Sequence, residues 1–242
     1  RIEYPADLED CFLKRSGAWF DPAVLQRIQP IDATGPARQQ EAPHAMDRYV
    51  VGVDVGGGVG GDFSALVVVS VGTLQPVFVQ RSNTMTPRDW AHEVVRVATR
   101  YNQALVLTES NNHGHALLLE LDHCGYRTQW RDPRTGKPWV TTMQSKLQAL
   151  STLRDHLEVI QNMDRALWLE LRSLTLPPGK ATPEAPPGNH DDLAMACALA
   201  YRCLADVPPS WRTEGHRATR VRAEQLIDKA KARRVNSYGL PF

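Results

Sequence analysis

The chain has 242 residues, of which 42% are hydrophobic and 23% charged, with a formal net charge of +1. That length lets one large domain bury its own core, and the balance is ordinary for a globular protein. No apolar run approaches the roughly 18 residues of a membrane span, and Cys11, Cys124, Cys197 and Cys203 are scattered without a CxxC pair. A membrane protein, a disulfide framework and a zinc ribbon are therefore excluded, and a soluble domain of a reducing cytosol is expected.

In chain order, residues 1–47 have mixed character and end in the Pro-, Gln- and Ala-rich stretch Pro30 to Pro43, which reads as an irregular connector. The chain starts at Arg1 with neither an initiator Met nor a signal-peptide pattern, which reads as a piece of a longer protein. The domain proper, residues 48–205, opens on two β-branched runs, Tyr49 to Asp54 and Ser64 to Ser70, separated by glycines from Gly56 to Gly61. Val77 to Gln80 completes a three-stranded meander. Thr86-Pro87-Arg88-Asp89 supplies a cap, a first-turn proline and an acidic third position, and Trp90, Val94 and Val97 follow at helical spacing, so a helix runs to about Tyr101. Ala104 to Thr108 reads as a buried strand, Leu117, Leu118 and Leu121 as the face of a helix ending near Cys124, and Tyr126 to Trp130 as a fifth strand. Arg131 to Pro138 reads as an exposed hairpin tip, followed by a helix from about Met143 to His156, a short strand at Val159-Ile160 and a short helix from Asp164 to Arg172. After a Pro-rich loop, a last helix spans about His190 to Leu204, its alternate alanines permitting close approach to a sheet. Alternating strands and helices predict an α/β domain with a central mixed sheet of five or more strands and helices on both faces. Residues 206–242 carry eight Lys or Arg against four Asp or Glu, either a flexible solvated tail or a basic arm for nucleic acid.

Three elements aim acids at one place. Asp54 ends the first strand and is followed by glycines; Glu109 ends the next strictly hydrophobic strand; Asp191 and Asp192 open the alanine-rich helix, where the helix dipole favours negative charge. Carboxylates gathered without cations repel one another, so the cluster calls for a divalent ion, and hard oxygen donors suit Mg²⁺ or Mn²⁺. Two such ions serve phosphodiester hydrolysis without a protein nucleophile. Each residue alone has a plainer reading: a strand-end Asp is also a turn residue, and an Asp pair at a helix start is also an N-cap.

The order of these motifs is more specific. Val51 to Gly58, continuing through Gly61-Asp62-Phe63-Ser64-Ala65, resembles the first nuclease motif of phage terminase large subunits, the DNA-packaging motors of tailed phages. Leu107 to Gly114 resembles the second acidic motif and Gly188 to Ala196 the third, while Glu3-Tyr4-Pro5, Phe12, Ser16-Gly17 and Phe20-Asp21 look like the segment joining that family's ATPase and nuclease domains. The resemblance runs from about Glu3 to Leu204. It implies an RNase H-like (RuvC-like) nuclease that cuts concatemeric double-stranded viral DNA with Mg²⁺ or Mn²⁺, through Asp54, Glu109 and Asp191 or Asp192. Asp62 matches an acid often present in the first motif and is a further candidate metal ligand. The implied partners are double-stranded DNA, an N-terminal ATPase domain of the same protein, portal protein and the small terminase subunit, in the host cytoplasm and transiently at the procapsid portal. No GxxxxGK[ST] loop occurs, so the motor domain would precede Arg1.

Lys146 resembles a lysine common at that point of the family and is a candidate for a DNA phosphate, as are Arg131, Arg134 and Lys137 on the hairpin tip. His113 and His115 lie two apart at a helix start, a spacing that does not share a helix face; His190 either bonds a ligand carboxylate or caps its helix. Three rival functions remain at this level. The glycines after Asp54 also suit an actin-like or sugar-kinase-like ATPase, although a second phosphate motif is missing. A Holliday-junction resolvase would use similar acids, and a catalytically silent packaging module would keep the fold without the chemistry.

Overall fold

The computed structural model describes residues 17–57, 60, 63–111, 113–211, 221, 224–229 and 232. A short helix α1 (Pro22–Leu25) and two three-residue strands, β1 (Gln29–Ile31) and β2 (Ala37–Gln39), precede the meander of β3 (Tyr49–Asp54), β4 (Ser64–Ser70) and β5 (Pro76–Ser82). Next come α2 (Pro87–Arg100), β6 (Leu105–Thr108), α3 (His113–His123), α4 (Met143–His156), β7 (Asn162–Asp164), α5 (Arg165–Ser173) and α6 (Asp192–Ala205). Helix starts follow their local chemistry. The Thr86 hydroxyl accepts the Asp89 N–H at the head of α2, Thr142 and Ser145 form a reciprocal capping box on α4, and the Asp164 carboxylate accepts the N–H groups of Ala166 and Leu167 on α5.

The main sheet has the order β2-β5-β4-β3-β6, with β6 parallel to β3 and the other pairings antiparallel. Strand alternation sends Val50, Val67, Val79 and Leu107 to one face, where they pack on α4 and α6. Val51, Val53, Leu66 and Val68 go to the other, under Trp90 and Val94 of α2 and Leu117 and Leu121 of α3. The expected α/β sandwich of a mixed sheet between helices is therefore present. Among the described residues no helix is long and apolar enough to cross a membrane.

Three local expectations are corrected. The fifth strand is β2, inside the stretch expected to be an irregular connector; it pairs with β5, and Arg38 from it reaches the Asp164 carboxylate in a buried two-pronged contact, one prong 3.0 Å long. Residues 126–130, expected as a strand, make a single bridge between Gln129 and Val106 at the β6 edge. Leu157–Val159 forms a 3-10 turn, and the short strand falls later, at β7, which pairs in parallel with β1. Residues 1–16 of the suggested linker and most of the basic tail lie outside the described residues, while Phe20 is buried and Asp21 caps α1.

Candidate active site

The register of the sheet builds the site. Val53 pairs with Thr108, so Asp54 and Glu109 are the next residues of two neighbouring parallel strands. Asp54 pairs with Ala65 of β4, and Ala65 with Arg81 of β5. Arg81, Ala65, Asp54 and Glu109 thus form one row across four strands, all on the α6 face. Past Glu109 the row ends on Trp139, which forms an isolated bridge to it.

Helix α6 lies unusually close to this face because both sides lack bulk. A Cβ on Gly52 would stand 2.0 Å from the Ala196 carbonyl oxygen and 2.2 Å from the Ala200 nitrogen. The backbone of α6 therefore rests directly on β3, with Ala194, Ala196, Ala198 and Ala200 fully buried. This contact carries the first turn of α6, with Asp191 and Asp192, to the end of the row. A similar close approach sets Glu109: a Cβ on Gly114 would stand 2.0 Å from the Glu109 carbonyl oxygen, so the first turn of α3 folds back on the acid's own backbone.

The four acids share one electrostatic neighbourhood. Burial, and then the charges of Glu109, Asp192 and Asp191, push the Asp54 carboxyl well above the ordinary aspartate range, against an opposing pull from Lys146. Lys146, in the first turn of α4, holds its ammonium 3.5 Å from Asp191 Oδ2, so the lysine expected to meet a DNA phosphate faces the acidic cluster. His190 Nδ1 stands 3.5 Å from Asp192 Oδ2. Among the described residues, no three His, Cys, Asp or Glu side chains close on a single point as a ready metal-holding group. Glu109, Asp191 and Asp192 are gathered around the buried Asp54 closely enough to act on its charge, as an open donor set. Their chemistry fits a hard divalent cation: several carboxylates, mutual repulsion that a cation relieves, and one lysine for partial neutralisation.

The plainer reading of the Asp pair as a helix cap does not describe this helix. The Asp191 side chain makes no capping hydrogen bond. Glu170 of α5 does that work instead, its Oε2 accepting the Ala194 N–H at 3.0 Å while Arg81 bonds Oε1 at 3.3 Å. Burial raises Glu170 to about 7 although Ala194, Arg81 and Leu193 pull it down and Asp192 adds to the rise. Another helix supplies the cap, and the Asp191 carboxylate stands beside Lys146 instead. Asn111 is a second positioning group: its amide donates to the Thr141 carbonyl at 2.7 Å and accepts the Thr141 N–H at 3.0 Å, tying the turn after Glu109 to the head of α4. Glu170, Arg81 and Asn111 were not singled out from the sequence. Asn111 stood inside the second acidic motif, and the other two carried no local signal.

The remaining candidates are spread around this centre. Arg131, Arg134 and Lys137 occupy a turn closed by Asp132 N–H to the Lys137 carbonyl, leading into Trp139 beside Glu109; Arg131 also donates to Gln129 Oε1 and Arg134 lies 3.9 Å from Asp132. His113 and His115 are exposed at the start of α3, and His113 faces Gly57. Asp62 lies outside the described residues.

Residues 51–203 match the family model described as Terminase RNaseH-like domain. Solved structures share the fold. The large terminase nuclease from thermophilic phage G20c with bound magnesium is 23% identical, with a TM-score of 0.64, over 74% of this chain and 95% of that one. The same nuclease with bound cobalt gives the same values. The large terminase nuclease domain of Thermus phage P74-26 is 23% identical, with a TM-score of 0.61, over 74% of this chain and 92% of that one. No curated protein matches the chain.

Proposed function

Since the chain belongs to the terminase RNase H-like family, we propose that it is a divalent-metal-dependent endonuclease that cuts concatemeric double-stranded viral DNA during genome packaging. The observation carrying this reading is geometric: Asp54 and Glu109 end neighbouring parallel strands, and Asp191 and Asp192 at the head of α6 are close enough to add to the burial that raises the Asp54 carboxyl. A protein gains nothing in stability from such a cluster, and active sites are where strongly displaced carboxyls gather. Metal-bound structures of the G20c nuclease support the choice of cofactor.

In this reading Asp54, Glu109, Asp191 and Asp192 hold Mg²⁺ or Mn²⁺, two ions in the full site. Bound there, the cations supply Lewis acidity to the phosphate, a water of lowered pKa and stabilisation of the leaving 3′-oxygen. The residues themselves orient. Asp54 and Glu109 sit on rigid strand ends, so their spacing is fixed by the sheet. Lys146 offsets the charge on Asp191 before substrate arrives and is within reach of an incoming phosphate. Glu170 holds the head of α6, and Asn111 ties the turn after Glu109 to the head of α4. Double-stranded DNA is the substrate, with Arg131, Arg134 and Lys137 as backbone contacts on the Glu109 side. An ATPase domain of the same protein, the portal and the small subunit are the proposed partners, in the host cytoplasm and at the procapsid portal.

The test is cleavage of supercoiled plasmid. With Mn²⁺ the chain is expected to convert it to nicked and linear forms, to stop in EDTA, and to need no ATP. No cleavage by correctly folded protein across Mg²⁺ and Mn²⁺ would support a silent packaging module instead. Selective cutting of four-way junctions would support a resolvase.

A further inference from the structure

An open groove of about 420 Å³ lies on the β5 side, lined by Arg81, Arg165, Trp168, Glu170, Arg172 and His190 among others. The groove and the acidic centre are joined at two points. His190 lines the groove and lies 3.5 Å from Asp192. Arg81 lies in the same sheet row as Asp54, two strands away, which is roughly 10 Å at the usual strand spacing.

Two guanidinium groups of the groove are held flat on aromatic rings. Arg172 lies 4.2 Å over Trp168, and Arg81 lies 4.8 Å over Phe63, whose ring in turn meets His190 edge-on at 5.0 Å. A guanidinium stacked in this way keeps its planar fork oriented at little further entropic cost, and that fork matches a phosphate. Arg165, paired with Asp32, adds a third cation at the mouth. Three arginines and one acid, Glu170, line the groove, with Arg81 bonded to Glu170 and Arg165 to Asp32; beside it stands the cluster of carboxylates, which would repel DNA without its cations.

Resting on the nuclease reading above, we propose that this groove is a binding site for the phosphodiester backbone of the strand being cut, with Arg172 and Arg81 as phosphate forks. The separation of about 10 Å places the site about three nucleotides of duplex rise from the scissile phosphate. A strand anchored there lies across Asp54 and Glu109 toward the turn carrying Arg131, Arg134 and Lys137. The duplex is thereby held on both sides of the acids.

The experiment measures anisotropy of a fluorescent 30-base-pair duplex against salt in EDTA, together with Mn²⁺ cleavage kinetics, for wild type, Arg172→Gln, Arg172→Glu and Arg81→Gln. Arg172→Gln is expected to weaken binding about 5- to 10-fold and to lower the salt slope by about 1. Cleavage should fall through KM, with kcat within about twofold, and Arg172→Glu should lose more than Arg172→Gln. Arg81 also bonds buried Glu170, so Arg172, on the outer helix face, is the decisive position. Wild-type affinity and slope in both Arg172 variants, beside a wild type that cuts, would overturn the groove and leave the nuclease standing. A wild type that binds duplex through Arg172 but cuts nothing would uphold the groove and overturn the catalytic reading.

Discussion

Asp54→Asn is expected to abolish Mn²⁺-dependent plasmid cleavage, by at least about 100-fold, while making the metal-free protein more stable. The two effects share one cause. In the folded state burial and the charges of Glu109, Asp192 and Asp191 raise the Asp54 carboxyl well above its ordinary value. A raised carboxyl binds its proton more tightly in the folded than in the unfolded chain, so wild-type stability falls as pH climbs from about 4 through the folded value. Asparagine removes that loss. In EDTA at pH 7 the variant should therefore melt above wild type, and the gap should close as pH approaches 4. Added Mn²⁺ should stabilise wild type and leave the variant nearly unmoved, since only a bound ligand raises the melting point by mass action. Equal melting points in EDTA at pH 7 would mean that the Asp54 carboxyl is not raised in the folded chain.

Gly52→Ala is expected to be strongly destabilising. The added Cβ would stand 2.0 Å from the Ala196 oxygen, 2.2 Å from the Ala200 nitrogen and 2.9 Å from the Ala200 Cα, all backbone, so no rotamer change relieves it. Helix α6 must move off β3. Overpacking of this kind costs about 3 kcal/mol, or roughly 6–12 °C in melting temperature. It also carries Asp191 and Asp192 away from Asp54, so cleavage should fall even at temperatures where the variant is folded. A variant within about 0.5 kcal/mol of wild type would refute the direct seating of α6 on the strand.

What the sequence reveals about this site follows from range. The acids were legible because each sits at the end of an element whose period is local: a β-branched run before Asp54, another before Glu109, an alanine-rich helix after Asp192. Helix α4 was readable to its ends because Thr142 and Ser145 mark its start three residues apart. The alanines announced a close helix-to-sheet contact, but no local pattern marks Gly52 as the residue that receives it. Glu170 was invisible for a similar reason. A glutamate in an amphipathic helix reads as solvent-facing, and its burial arises because it caps a helix beginning 22 residues later. Strand β2 escaped because Ala37-Arg38-Gln39 has no alternating pattern; its hydrogen bonds to β5 and the Arg38 contact with Asp164 make it a strand.

The central claim, that these four acids hold divalent cations, is tested most directly by anomalous diffraction from crystals of the chain soaked in Mn²⁺. The account predicts manganese bound by the Asp54 carboxylate and shared with Glu109 and with Asp191 or Asp192, at the usual distance of about 2.1–2.2 Å for a hard cation and oxygen. Saturating Mn²⁺ with no manganese at Asp54, or manganese held only elsewhere on the surface, would contradict it.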